Sequence, residues 1–243
     1  FDPDDGLGVG AMFNYQKNSL VRNPFTDEHH IGLTYFYETS SVNVSYSGEF
    51  AYIFDKVNFG IDVGYSSPSY TNNFFGFENE TINLDDDLGR DFNRVRTERI
   101  SVMPSLIFRG YQGSEIKLGV RYDNYEVENT ADRFISQAGV NPENFVGQNF
   151  GSIEASYEYD NLKDAIVSKA GLGFKLTAGF TSNLDNSNSF GYLIPEARIA
   201  TKLDNRGTLI LASKIKGHIN LSNEFEFYQG ATIGGNDGLR GFR

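Results

Sequence analysis

The 243 residues carry a formal net charge of −11 and only 39% hydrophobic side chains, a balance too polar for helical membrane spans and too acidic to favour nucleic-acid binding. The absence of cysteine excludes disulfides, thiolate metal sites and thiol catalysis together, and it is compatible with export into an oxidising compartment.

Alternating apolar and polar residues predict about ten strands, near residues 6–16, 29–37, 42–54, 57–66, 96–109, 114–127, 149–160, 169–182, 189–203 and 207–221. In the third, Val42, Val44, Tyr46, Phe50 and Tyr52 oppose Asn43, Ser45, Ser47 and Glu49. In the fifth, Ile100, Val102, Pro104, Leu106 and Phe108 share one face, and only Met103 and Ile107 interrupt the polar face behind them. The sixth sets Ile116, Leu118, Val120 and Tyr122 against Lys117, Gly119, Arg121 and Asp123, and the eighth sets Leu172, Phe174, Leu176, Ala178 and Phe180 against Gly173, Lys175, Thr177 and Gly179. No helical period of comparable strength occurs.

A soluble β-sandwich or lipocalin-like barrel also alternates. Length separates the two: these runs reach about nine to thirteen residues, which a tilted strand needs to cross a bilayer, whereas soluble strands are usually about five or six. Aromatic residues gather near strand ends, as in Tyr35, Phe36 and Tyr37, or Tyr157 and Tyr159, where interfacial girdles lie. The expected fold class is therefore all-β, a transmembrane antiparallel β-barrel forming one domain over residues 1–243. Connections alternate between long polar segments (67–95, 128–148, 183–188) and short turns (55–56, 110–113, 204–206), which orients the long set outward and the short set toward the periplasm. The link 17–28 is long on the short side, and 39–41 is short on the long side. An open sheet edge is costly in lipid, and the sequence begins without Met and stops directly after a loop. The expectation is a barrel fragment incomplete at both ends.

On the inward face, Glu49, Asp62, Glu154 and Glu158 dominate the earlier strands, while Lys175, Arg198, Lys202, Lys214 and Lys216 crowd the later ones. Such residues either pair and hydrate a polar interior or, as a segregated field, steer a polar solute. Acidic residues including Asp2, Asp4, Asp5, Glu78, Glu80 and Asp91 fall in the predicted outer loops; a solvated surface is the plain reading, and cation-bridged lipopolysaccharide the sharper one. Asp2–Gly6 starts like a calcium loop, but its twelfth position is Phe13 rather than glutamate. His29, His30 and His218 form no metal triad, and no nucleophile elbow, phosphate loop or zinc-protease motif occurs. No catalytic residue, metal or cofactor is assigned.

The run from Phe225 to Phe242 reads FEFYQGATIGGNDGLRGF. Its aromatic segment, the Gly234–Gly235 pair and the tetrapeptide Leu239, Arg240, Gly241, Phe242 resemble, in order, the sixth extracellular loop of the BamA/TamA-like superfamily, the bacterial surface antigens. Tyr159–Gly171 looks like that family's D-x-x-D…G turn, with one extra residue and no proline. Pro3–Gly6 and Phe74–Thr81 look like a Bacteroidota-type branch. The resemblance implies a sixteen-stranded barrel in which 208–221 is the eleventh strand and 6–16 the second. It further implies that residues 222–243 fold back into the lumen, with Arg240 meeting acidic and aromatic residues of later strands. A planar, permanently charged guanidinium suits that pinning role. The implied function is insertion or export of other proteins at a Gram-negative outer membrane, with lipid, lipopolysaccharide, unfolded client proteins and assembly lipoproteins as partners and no nucleic acid. The alternatives are a family barrel that anchors or exports a fused metallophosphoesterase-like or patatin-like enzyme, and a passive porin.

Overall fold

The computed structural model describes residues 5–20, 25–76, 85–89, 91–111, 113–137, 140, 142–162 and 170–230. They form one antiparallel sheet of twelve strands: β1 (Gly8–Lys17), β2 (Asp27–Phe36), β3 (Ser41–Phe54), β4 (Val57–Ser66), β5 (Thr71–Asn73), β6 (Arg94–Arg109), β7 (Ser114–Val127), β8 (Gln148–Asp160), β9 (Gly171–Asn183), β10 (Ser189–Lys202), β11 (Ile210–Lys216) and β12 (Ile219–Asn220). Neighbours in sequence are neighbours in space from β1 to β11; β5 pairs with the start of β6, and β12 with β10. Two short helices, α1 (Asp85–Leu88) and α2 (Phe134–Gln137), lie in the long connections. Most main strands exceed the nine to eleven residues that a tilted crossing takes, β6 reaching 16.

The register carries the alternation across the whole sheet. Tyr46 aligns with Val63 and Ile31, Val63 with Val102, and Val102 with Tyr122. Farther along, Ile153 aligns with Phe180, and Leu176 with Pro195. These residues form one continuous apolar face left open: Ile153 is 67% exposed, Val120 59% and Phe180 52%. An exposed apolar belt of this extent is unfavourable in water and favourable against lipid. The opposite face is polar and more enclosed. Met103 and Ile107, the two apolar residues on the polar side of β6, are only 4% and 5% exposed, so the inner wall absorbs them.

The two ends of the sheet differ. At one end the turns are tight: Asp55–Lys56 joins β3 to β4, and residues 110–113 join β6 to β7. Gly113 there takes φ +77°, and a Cβ would strike the Asp160 carbonyl, so the position requires glycine. At the other end the long connections fold into a small apolar core of Phe74, Val95, Val127 and Ile135, with Phe134, Val140, Phe145, Phe227 and Tyr228 packed against it. This core ties the long connections to the strand ends that carry them.

Two expectations are refined. The predicted strand 207–221 breaks into β11 and β12, which keep the same register against β10 on either side of Pro195; proline has no N–H to donate to the ladder. Asp5, read as part of a solvated acidic surface, is 1% exposed. It accepts hydrogen bonds from the Thr39 hydroxyl at 2.8 Å and the Thr71 N–H at 3.3 Å, tying three segments together.

Candidate functional site

The polar face of each strand projects onto one inner wall, and ion pairs cross it from strand to strand. At the short-turn end Arg109 of β6 holds Glu49 of β3 at 2.8 Å through Nη2 and Glu115 of β7 at 3.1 Å through Nε, while Asn58 donates to Glu49 at 2.6 Å. Asp62 of β4 accepts from Lys117 and from the Ser47 hydroxyl, each at 2.7 Å. Mid-wall, Glu154 of β8 faces Arg121 at 3.1 Å and accepts from the Tyr192 hydroxyl at 2.7 Å. Toward β10, Arg198 is surrounded by Glu158 at 3.3 Å, Asp160 at 3.0 Å and Glu196 at 3.2 Å. Lys175 approaches Glu158 at 3.7 Å and Lys214 approaches Glu196 at 3.4 Å.

The structure therefore brings together Glu49, Asp62, Glu154, Glu158, Lys175, Arg198 and Lys214, while Lys202 and Lys216 stand at exposed positions at strand ends. The charges interleave rather than form two opposed fields, because Arg109, Lys117 and Arg121 enter from β6 and β7 opposite the acids. Those three bases were absent from the sequence-derived set. Each lies on the polar side of its strand, and only the register names its partner. His29 and His30 point to opposite faces as neighbours in a strand must: His29 meets the Tyr46 hydroxyl at 2.9 Å, and His30 meets Asn14 at 2.7 Å. Among the described residues no group of three or more His, Asp or Glu is placed to hold a metal ion.

At the long-loop end the inner wall becomes an aromatic seat. Arg99 is fixed on Asp123 by contacts of 2.8 and 3.2 Å, and its guanidinium lies 5.1 Å over the Tyr125 ring. Tyr125 in turn stacks on Tyr228, with centroids 4.4 Å apart and 18° between planes. Phe227 packs at 4.7 Å on Phe74, and Phe225 at 5.9 Å on Phe190. Polar contacts fix this segment as firmly. Asn144 accepts from the Tyr228 hydroxyl at 3.1 Å and donates to Glu226 at 2.7 Å. Gln148 donates to Asn144 at 3.2 Å and accepts from Asn183 at 2.8 Å. Phe227–Gln229 forms one 3-10 turn closed by reciprocal bonds between Glu226 and Gln229. Burial, with Glu226 and Tyr125 adding to it, raises the Tyr228 phenol well above the usual tyrosine value.

The chain that leaves β12 is thus drawn inward over the wall, and residues 225–230 are held there by Phe74 and by side chains of β7, β8, β10 and the 142–145 turn. Sequence reading identified this aromatic segment but not its seat. The glycine-arginine residues that follow it, Gly234, Gly235, Leu239, Arg240, Gly241 and Phe242, lie outside the described residues, as do Asp2, Asp4, Glu78 and Glu80.

No family profile and no curated protein matches the sequence. Among solved structures, the chain is similar to BamA from Haemophilus ducreyi lacking POTRA domains 1–3, with a TM-score of 0.62 and 18% identity over 97% of this chain. It spans 46% of the length of that protein, close to half. The fold is that of a BamA-like outer-membrane β-barrel.

Proposed function

We propose that this chain is barrel wall from a bacterial outer-membrane protein that inserts or exports other proteins, with the short-turn end in the periplasm and the long-loop end outside. The observation that supports this most directly is the seat of residues 225–230. This segment is pinned to the inner wall by aromatic stacking and a buried amide relay, and it directly precedes in sequence the glycine-arginine residues that the resembling family places in its lumen. On this reading residues 222–243 form a loop inside the barrel, and Arg240 pairs with a carboxylate of the wall. Lipid surrounds the apolar belt, lipopolysaccharide borders the outer loops, and unfolded client proteins and assembly lipoproteins are the partners. The work is conformational and needs no covalent chemistry. A passive porin has no particular use for a loop fastened this way.

The test is reconstitution of the full-length protein in proteoliposomes and measurement of outer-membrane protein insertion. Arg240→Ala is expected to lower insertion at least about tenfold, a loss of about 1.4 kcal/mol or more in coupling, whereas Arg206→Ala in the β10–β11 turn leaves it unchanged. Equal and negligible effects would overturn the reading.

A further inference from the structure

The start of β2 departs from the pattern of the wall. Thr26 extends the β2–β3 ladder by one rung, its carbonyl accepting from the Ala51 N–H at 2.9 Å. In β3 the register against β4 then shifts between Phe50 and Phe54. Such bulges re-aim side chains and bend a strand. Tyr52 within it adopts φ +53°, a left-handed conformation that a bulky residue takes only when its surroundings impose it. Its N–H is captured by Asn58 at 2.9 Å, and the same Asn58 donates to Glu49.

Phe25 immediately precedes Thr26 at this point of the wall. It is 4% exposed, and its ring lies under the Arg109 guanidinium, 5.5 Å from ring centre to Cζ. Arg109 belongs to β6, with β3 and β4 standing between it and β2. The ring therefore reaches along the inner wall across neighbouring strands instead of facing lipid. Arg109 is held in place on both sides, by Glu49 and by Glu115, so its planar face is presented to the aromatic ring, the geometry cation–π attraction favours. A residue that served only to anchor the chain in the membrane would point outward into the belt, as Phe59 and Leu106 do in register with Phe50.

We propose that Phe25 and Arg109 form a latch on the inside of the short-turn mouth that restricts passage of solutes into the lumen from that side. The latch follows from the barrel fold and is independent of the protein-insertion reading. Releasing it requires only loss of the ring-on-guanidinium contact; the Glu49 and Glu115 pairs keep Arg109 on the wall.

Single-channel recording of the full-length protein in planar bilayers tests it. Phe25→Ala and Arg109→Ala are each expected to raise mean conductance at least about twofold. Arg109→Lys, which keeps the charge and loses the planar face, is expected to give an intermediate rise, and Phe59→Ala on the lipid face no change. The chain has no native cysteine, so Ala51→Cys supplies a second reading: Ala51 is 0% exposed, and its reaction with a membrane-impermeant maleimide should be slow and should accelerate about tenfold when Phe25→Ala is added. A conductance unmoved by Phe25→Ala would overturn the latch, as would an Ala51→Cys variant that reacts as fast as Leu20→Cys at the fully exposed Leu20. Should Arg109→Ala fail to fold, the Phe25→Ala recording decides alone.

Discussion

Tyr192 of β10 lies flat across Gly179 of β9, its cross-strand partner, and donates its hydroxyl to Glu154 on the next strand at 2.7 Å. The glycine removes the side chain that would stand where the ring rests; a Cβ there would meet the ring carbons and the hydroxyl. Tyr192 is only 8% exposed in consequence. The aromatic ring covers a glycine that would otherwise weaken the strand, and its hydroxyl links β10 to the Arg121–Glu154 pair.

Gly179→Ala is therefore expected to displace Tyr192 and lower the stability of the folded barrel by about 1–3 kcal/mol, the usual range for overpacking. Gly64→Ala is the control, since its Cβ would meet only the Ser101 Cβ at 3.8 Å, an ordinary contact; its effect should stay within about 0.5 kcal/mol. Urea unfolding followed by circular dichroism, with the gel shift of heated against unheated samples, measures both. Similar losses for the two variants would mean that the Tyr192–Gly179 contact is not what sets the cost.

The strands were legible because a lipid-facing barrel writes its two faces directly into alternate residues: Ile100, Val102, Leu106 and Phe108 could be assigned outward from the sequence, and they lie outward. What the sequence did not disclose depends on register or on long-range packing. Arg109 and Arg121 are single charges on a polar face until β3, one strand beyond β4, and β8 are placed in the sheet, and only then do Glu49 and Glu154 become their partners. Val95 and Val127, at the ends of β6 and β7, form a core with Ile135 and Phe74 of the long connections, a relationship no local period encodes. The aromatic run at 225–228 was legible as a motif. Its attachment to Tyr125 and Asn144 was not, since neither residue stands out in its own strand or loop.

The β10–β11 turn makes a prediction about pH. Asp204 accepts from the Thr208 hydroxyl and from the Leu209 N–H at 3.0 Å, bonds that favour the carboxylate and lower its pKa from the ordinary aspartate value. The folded value lies below the unfolded value of about 3.9. The stabilisation is accordingly present above about pH 4 and is lost as pH falls through the folded value. The urea midpoint of the unaltered protein should exceed that of Asp204→Ala by a constant amount at pH 5–7, and the difference should shrink below pH 4. A difference that does not change with acid would show that these bonds act independently of the carboxylate charge.

Tyr228 titrates in the opposite sense. Its burial beside Glu226 favours the neutral phenol and raises the folded pKa. The stabilisation is therefore complete below the unfolded value of about 10 and is lost as pH rises beyond it, because the unfolded chain ionises first. The readout is the rate of limited proteolysis within residues 225–230, expressed as a ratio to Tyr228→Phe. At pH 8 the phenylalanine variant keeps the stack on Tyr125 but loses the 3.1 Å bond to Asn144, which should weaken attachment of the segment by about 1 kcal/mol. Tyr228→Ala loses stack and bond together, which should cost about 3 kcal/mol. Between pH 8 and 11 the protection of the unaltered segment should fall toward that of Tyr228→Phe, whose own protection has no phenol to lose. A ratio that stays constant to pH 11 would mean that the segment is held by its Phe225 and Phe227 contacts and that Tyr228 adds little to its attachment.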